Sequence, residues 1–329
     1  MISYVGKYLV AIENRVGGEV AGIIYSIIAT ITFFITFVIG KIMKHELTIS
    51  QMVVSRGVLM FIILVYLAKV QGHAFYPESK YEEKIRMIRS TVGSLSLFFP
   101  MLLINYLPLS EISMIGMLGS NLLCFADYIV NKSPLVPREV GGAVISFLGV
   151  IMILKPEYTN HLFFGYPPID PTIETQTEYA TGTLRMALIL GFAIWSFGWA
   201  LSIAILKKVK NMSSITINLP SGIVMSLAAG ISSIMEEEIM QPNWVIYTII
   251  MIIGGAGGAF GLLALTRSNQ IGKQGMNGVI SNVNIVYTLL FDMYYLKEPF
   301  NPSSFTGALI IVVTTVTLSV MKMRDAEKH

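Results

Sequence analysis

One sequence pattern occurs twice in the chain and indicates how it folds. FADYIVNKSPLVPREVGGAVI (Phe125–Ile145) aligns without gaps, at an offset of 165 residues, with LFDMYYLKEPFNPSSFTGALI (Leu290–Ile310). Seven of the 21 aligned pairs are identical, including an aspartate, a lysine and two prolines. The same offset also pairs Gly57 with Gly222. The sequence therefore predicts an internal duplication that extends through both halves.

The composition indicates that the two halves lie in a lipid bilayer. Hydrophobic residues make up 54% of the 329 residues and charged residues only 13%, with a mean hydropathy of +0.67, whereas soluble domains carry roughly 25% charged residues. Apolar stretches of the length needed to cross a hydrocarbon layer of ~30 Å recur along the chain. The predicted spans are 18–40, 49–69, 88–107, 111–130, 139–154, 183–206, 213–235, 243–265, 274–296 and 304–321.

The distribution of basic residues predicts the orientation of these spans. Of the 23 lysines and arginines, 17 fall on the side that holds both termini, five fall on the opposite side and one, Arg56, lies within the second span. Cytoplasmic loops carry the excess of basic residues. We therefore expect an integral, multi-pass membrane protein with both termini in the cytoplasm.

Five spans in each half make the duplication inverted. Because five is odd, the second half must enter the membrane in the opposite sense to the first. The predicted fold is an all-α integral membrane protein with ten transmembrane helices as a 5+5 inverted repeat. Its parts are residues 1–157, a linker 158–181 outside the cytoplasm, and residues 182–329. Such repeats place a central site between two nearly equivalent gates, which is typical of alternating-access transporters.

Three further stretches make the chain resemble EamA-type proteins of the drug/metabolite transporter superfamily, which include solute carrier family 35 type proteins. These are QMVVSRGVLM around Arg56, LPLSEIS before span four, and KEP followed by GALI at the start of span ten. The resemblance implies that spans one to four and six to nine surround the substrate, while spans five and ten lie outside and can support a homodimer. The acidic residue usual in the first-half turn is replaced by Ser133, although Glu298 is present in the second half.

Polar residues in predicted span nine suggest one wall of the substrate cavity. They recur at spacings of three and four, which places them along one helix face. They are Lys273, Asn277, Ser281, Asn284, Thr288 and Asp292. Polar residues inside a membrane face protein or water. The stripe can line a substrate cavity or tie helices together, and we expect the cavity, bordered by a thinner polar lining from span four.

The predicted substrate-binding set combines this stripe with residues of other spans. Trp195 and Trp199 are four residues apart and can stack on a ligand or simply pack in the core. The set is Asn277, Ser281, Asn284, Asn105, Ser120, Asn121, Trp195 and Trp199.

Four charged residues are predicted to act in gating or structure: Arg56, Asp127, Asp292 and Lys273. Arg56 lies too deep in span two to reach water easily, so it needs a partner, either an acid group of the substrate or an acceptor in the protein. Asp127 and Asp292 occupy equivalent positions near membrane boundaries, where we expect ion pairs or helix caps.

Other function classes find little support in the sequence. The single cysteine and the four histidines between spans provide no metal cluster, and no nucleophile lies beside a base as an enzyme would require. We expect no cofactor and no nucleic-acid partner. The predicted partners are a small-molecule substrate and the lipid bilayer. The predicted function is transport of a small polar or amphipathic metabolite through a cavity lined mainly by spans four and nine, with a non-transporting scaffold or a channel as the alternative.

Overall fold

The computed structural model describes residues 13, 17–43, 46–77, 79–154, 180, 182–234, 244–271, 283–297 and 302–326. Within these ranges the regular structure is helical. The helices are α1 (Gly18–Ile42), α2 (Ile49–Gln71), α3 (Lys80–Leu103), α4 (Leu109–Gly116), α5 (Leu118–Asn121), α6 (Leu123–Asn131), α7 (Pro137–Leu154), α8 (Gly182–Leu206), α9 (Ser214–Ile234), α10 (Trp244–Ile271), α11 (Val283–Tyr294) and α12 (Pro302–Ala326).

Several of these helices are long and apolar enough to cross a membrane. Five qualify alone among the described residues, and a sixth qualifies if the bent pair Leu109–Asn121 and Leu123–Asn131 is one span. Phe305–Leu318 forms a shorter apolar helix. The prediction of an all-α, multi-pass membrane protein is confirmed at this level. The linker prediction falls outside the described residues except for Ala180, whose N–H donates to the Tyr106 carbonyl at 3.0 Å.

The duplication is visible in the backbone. Lys132 and Lys297, which the 165-residue offset pairs, have φ values of 56° and 53° and are the non-glycine residues with positive φ in the described ranges. A lysine in this left-handed region is sterically unfavourable. Each is followed two positions later by a proline, which cannot continue a helix. The two halves therefore end corresponding helices with the same turn.

The helices α2 and α9 meet at repeat-related glycines. A β-carbon on Gly57 would lie 2.8 Å from the Gly222 carbonyl oxygen, and one on Gly222 would lie 2.7 Å from the Gly57 carbonyl oxygen. Glycine permits such close backbone approach between membrane helices. Helix α2 also packs on α10 and α3 on α9, while α1 packs on α10 and α3 on α8. These are equivalent pairs under the exchange of the two halves.

Predicted span four is a broken helix. It consists of α4, α5 and α6, with breaks at Met117 and Leu122 and a bend of 41° before α6. Beside the second break, the Asn121 amide donates to Ser146 Oγ at 2.6 Å and to Thr315 Oγ1 at 2.9 Å. These bonds hold the break against α7 and α12. Interrupted helices are tolerated at membrane depth where neighbouring groups supply hydrogen bonds.

The helices α7 and α12 pack on each other. A β-carbon on Gly149 would lie 2.7 Å from the Gly307 carbonyl oxygen, and Ser303 Oγ donates to the Met152 carbonyl at 3.1 Å. The opposite faces of both helices carry exposed apolar side chains, including Leu148 and Val313. A homodimer through spans five and ten, which these helices represent, stays a prediction.

The contact between Gly57 and Gly222 leads to a stability prediction. Gly222→Ala should lower the free energy of unfolding by about 1–3 kcal/mol, because the added carbon forces α2 and α9 apart. The matched control is Gly230→Ala on the same helix, where an added β-carbon meets nothing within 4 Å and the higher helix propensity of alanine should slightly stabilise the protein. Thermal unfolding of both variants in detergent measures the difference, and equal melting temperatures would contradict the packing.

Candidate functional site

A polar contact joins the broken span to span nine. Asn284, at the start of α11, points its Nδ2 at Ser113 Oγ of α4, 3.5 Å away. Its Oδ1 is buried and has no hydrogen-bond partner among the described residues. A buried amide oxygen without a donor is unfavourable by about 1–3 kcal/mol. The pair therefore offers an unused acceptor between helices of different halves.

The remainder of the predicted stripe is only partly described. Lys273, Asn277 and Ser281 lie outside the described residues. Thr288 is buried and donates to the carbonyl oxygens of Asn284 and Ile285 within its own helix. Its hydroxyl hydrogen is thus already used inside α11.

Aromatic side chains of α11 that follow Asn284 in the chain contact α1. The Phe34 ring lies 5.6 Å from the Tyr287 ring and 6.4 Å from the Phe291 ring, the latter in an edge-on arrangement. Ile285, next to Asn284, is buried in the main hydrophobic cluster. The helix that carries Asn284 therefore also presents apolar and aromatic side chains, and sites for small ligands combine these residue types with a few polar groups.

The two tryptophans of α8 contact protein on the sides that the structure describes. Trp195 Nε1 donates to the Leu95 carbonyl at 3.0 Å, and its ring lies 5.4 Å from that of Phe99. Trp199 lies against Gly119, where a β-carbon would approach its Cδ1 to 3.1 Å. These contacts account for both side chains as packing residues, and a role in stacking on substrate stays a prediction.

Three other predicted binding residues lie in α5 and in the turn before α4. Asn105 is exposed in the turn between α3 and α4, and Ser120 is half-buried in α5. Asn121 is buried, and both hydrogen bonds of its amide go to α7 and α12. A substrate contact by Asn121 would have to replace one of these bonds, so its predicted binding role remains untested.

Several arginine side chains are buried in the interior of the helix bundle. Arg56 is 4% exposed and packs against Gly258 of α10, where a β-carbon would lie 2.7 Å from its Nε. Its Nε has no hydrogen-bond partner among the described residues. Arg56 follows the start of α2 by seven residues, about 10 Å along the axis. An unpaired charge at such depth is unfavourable by at least ~2.5 kcal/mol.

The interior arginines of α3 were not recognised from the sequence, which predicted that this span begins at residue 88. The helix begins at Lys80, and both Arg86 and Arg89 are buried. Arg89 donates to Asn218 Oδ1 and to Thr266 Oγ1. Six charged residues in the first ten of α3 hid its true start from a hydropathy search. The three-residue spacing of the two arginines was the available signal, since it places them on one face.

A charged cluster closes one end of the bundle. Lys41, at the end of α1, donates to the carbonyl oxygens of Ile104 at 2.6 Å and Leu107 at 3.3 Å. Asp292 is 2% exposed and accepts from the Ser110 N–H at 2.7 Å, which places its charge at the N-terminus of α4. Lys41 lies close enough to interact electrostatically with Asp292. A carboxylate is stabilised at a helix N-terminus.

The repeat-related aspartate has a more open environment. Asp127 Oδ2 pairs with Lys207 Nζ at 2.6 Å, and Asn131 Nδ2 donates to Asp127 Oδ1 at 2.9 Å. The side chain of Lys207 is 41% exposed, and that of Asp127 is 15% exposed. Lys207 directly follows the end of α8, and Lys41 lies in the last turn of α1, which is the corresponding helix of the first half. Corresponding ends of the two halves therefore combine the same charges at different depths of burial.

Comparison with known proteins agrees with this architecture. The EamA-like transporter family matches the chain twice, over residues 20–155 and 186–320. Two Saccharomyces cerevisiae proteins are similar to this chain. "Uncharacterized membrane protein YMR253C" is 24% identical, and the match covers 74% of this chain and 58% of the yeast protein. "Probable transport protein YPL264C" is 23% identical, and the match covers 74% of this chain and 69% of the yeast protein. The chain thus matches less than two thirds of the length of the first.

A protein of known crystal structure shares the fold, with a TM-score of 0.63, 10% identity and coverage of 93% of this chain and 99% of the other. The two family matches together take in far more than half of the chain. With its apolar helices and its duplicated halves, the chain belongs to the EamA-like transporter family of membrane proteins.

Proposed function

We propose that this transporter moves a small polar or amphipathic metabolite by alternating access, through a central site where spans four and nine meet. The observation that carries the proposal is the contact between Asn284 and Ser113, because it joins helices of different halves, and the buried Asn284 Oδ1 finds no donor among the residues that the structure describes. A substrate hydroxyl or amine is suited to donate to that oxygen. Asn277 and Ser281, which the sequence places on the same face of predicted span nine, belong to the proposed site as well.

The proposed architecture is ten spans in a 5+5 inverted arrangement. Three observations support it: the two family matches, the mutual contact of Gly57 and Gly222, and the equivalent left-handed turns at Lys132 and Lys297. Segments 1–157 and 182–329 would be the two halves, joined by residues 158–181. The excess of basic residues on one side favours cytoplasmic termini.

The charged ends of the two halves would be the two gates. We assign Lys41 with Asp292 to the extracytoplasmic gate and Lys207 with Asp127 to the cytoplasmic gate. The first pair is buried and the second is partly hydrated. The described conformation would therefore be closed towards the extracytoplasmic side, and opening that side would require the turn before α4 to leave Lys41 and Asp292.

The different burial of the two aspartates predicts unequal effects of the same substitution. Asp292→Asn should lower the free energy of unfolding by about 2 kcal/mol, because a charged hydrogen-bond acceptor is lost in a buried setting. Asp127→Asn should have an effect under about 1 kcal/mol, because its partner Lys207 is exposed and water screens the pair. Thermal unfolding at low and high salt measures both. A larger effect at Asp127 would contradict the assignment of the closed gate.

The proposed site is tested first by ligand binding and then by transport. A metabolite panel is screened for compounds that raise the melting temperature, since a ligand at ~100 times its dissociation constant adds ~2.7 kcal/mol if it binds only the folded state. A labelled hit is then followed by counterflow into proteoliposomes. Asn284→Ala should abolish the thermal shift and the counterflow while the variant remains folded.

The control for this experiment is Thr317→Ala, on the exposed face of α12, which should transport normally. A hit that is indifferent to Asn284→Ala would reject the site but not the transporter. A panel without hits, or binding without saturable counterflow, would favour the alternative of a scaffold or a channel.

A further inference from the structure

The buried charges of the described residues do not balance. Four cationic and two anionic side chains are almost completely buried. The cations are Lys41, Arg56, Arg86 and Arg89, and the anions are Glu111 and Asp292. Lys41 lies near Asp292, and Arg185, which is partly exposed, pairs with Glu111.

The three arginines differ in the ion pairs and hydrogen bonds that their guanidinium groups make. Arg86 contacts Glu83 at 2.7 Å, and Arg89 donates to two neutral side-chain oxygens. Arg56 alone among these four cations has neither an ion pair nor a hydrogen bond within the described part of the chain. Charged groups inside membrane proteins are usually paired or mark a pathway for substrate.

Apolar packing surrounds Arg56 and holds it in place. One turn before it, Met52 and Val53 belong to the main hydrophobic cluster, and one turn after it, Met60 belongs to a second cluster with Ala259 of α10. Across from its Nε and Cγ lies Gly258, whose missing side chain makes room for the arginine. The charge is therefore fixed between two apolar clusters, where an electrostatic interaction is stronger than in water.

The shared fold of the two halves does not require this charge. The 165-residue offset that pairs Gly57 with Gly222 pairs Arg56 with Ser221. At this position the second half builds the equivalent α9 with a neutral residue. The crossing of α2 and α9 is thus built on the α9 side without a charge at this position, which leaves the guanidinium of Arg56 for a ligand.

We propose that the transported solute is an organic anion and that Arg56 binds its acid group. This inference rests on the proposed transport function and names the substrate class. The planar guanidinium donates in parallel to two oxygens of a carboxylate or a phosphate. Because Arg56 brings to this position one cation that no described residue compensates, the solute carries one acid group there.

Residues close in sequence to Arg56 and to the Asn284 contact belong to the same hydrophobic cluster. Met52 and Val53, before Arg56, belong to one continuous cluster with Met114 of α4 and Ile285 of α11. These last two residues are the sequence neighbours of Ser113 and Asn284. A solute with an acid group at one end and a hydrogen-bond donor at the other would suit this arrangement.

The first experiment measures the stability of ligand-free variants. Arg56→Met removes a buried charge that has no partner in the described part of the chain and keeps a side chain of similar length, so the melting temperature should rise. Arg89→Met is the matched control, and its melting temperature should fall because Asn218 Oδ1 and Thr266 Oγ1 each lose a charged donor. A lower melting temperature for Arg56→Met would overturn the proposal, because it would show that Arg56 ties helices together.

The second experiment measures anion binding at constant ionic strength and pH 7. The probes are benzoate with benzamide, pyruvate with pyruvamide, and inorganic phosphate, each followed by its thermal shift on the purified protein. The proposal expects at least one carboxylate or phosphate to stabilise the wild type and the matched amides to have no effect. Arg56→Met should weaken that binding about 30-fold or more, while Arg89→Lys should retain it.

Three outcomes would overturn the proposal: no shift with any anion, equal shifts with acids and amides, or a shift that persists in Arg56→Met. The transporter itself is judged separately. Counterflow of a neutral solute that needs Asn284 but is indifferent to Arg56→Met would reject the anionic substrate and leave the proposed function standing. Phosphate that shifts the melting temperature when carboxylates do not would assign the acid group to a phosphate ester.

Discussion

The close approach of Gly57 and Gly222 is the contact on which the arrangement of the helices depends. Each glycine carbonyl fills the space that the β-carbon of the other would occupy, so α2 and α9 cross with their backbones in contact. Association of helices in lipid gains little from the hydrophobic effect and relies on such close packing. The neighbouring helices are then held in equivalent pairs around this crossing, which places the two halves in comparable surroundings.

Within this frame, polar groups are distributed unequally. The glycine crossing is shared by both halves, whereas Arg56 is paired by the offset with Ser221 and Asn284 with Gly119. The shared residues serve packing, turns and, in Asp127 and Asp292, the charged ends of the two halves. Arg56 and Asn284 are unshared and are the candidates for recognition of a solute, since a solute without internal symmetry has no need of duplicated contacts. A duplicated scaffold thereby carries a site that differs between its halves.

The sequence predicted the class of fold because its strongest signals are local or repeated. Each of these signals can be recognised from the residue types in short segments: the apolar stretches, the 165-residue offset and the turn motifs. Contacts between distant segments could not be obtained in this way. The partner of Asp127 is Lys207 from the other half rather than the nearby Lys132. The break in span four depends on bonds from Asn121 to α7 and α12, which a hydropathy profile does not reveal.

The unequal burial of the two aspartates has a kinetic consequence for a carrier of the proposed kind. Lys41 and Asp292 are buried, whereas Lys207 and Asp127 are in reach of water, so the two orientations of the empty carrier would differ in free energy. The apparent affinity of the less populated orientation for its solute is its intrinsic affinity multiplied by the fraction of the protein in that orientation. Half-saturating concentrations would then differ between the two faces of the membrane. Without coupling to an ion gradient, the maximal transport rates in the two directions must differ in the same ratio as the half-saturating concentrations. The asymmetry would therefore change how fast the solute crosses in each direction at low concentration, but not the solute concentrations at equilibrium.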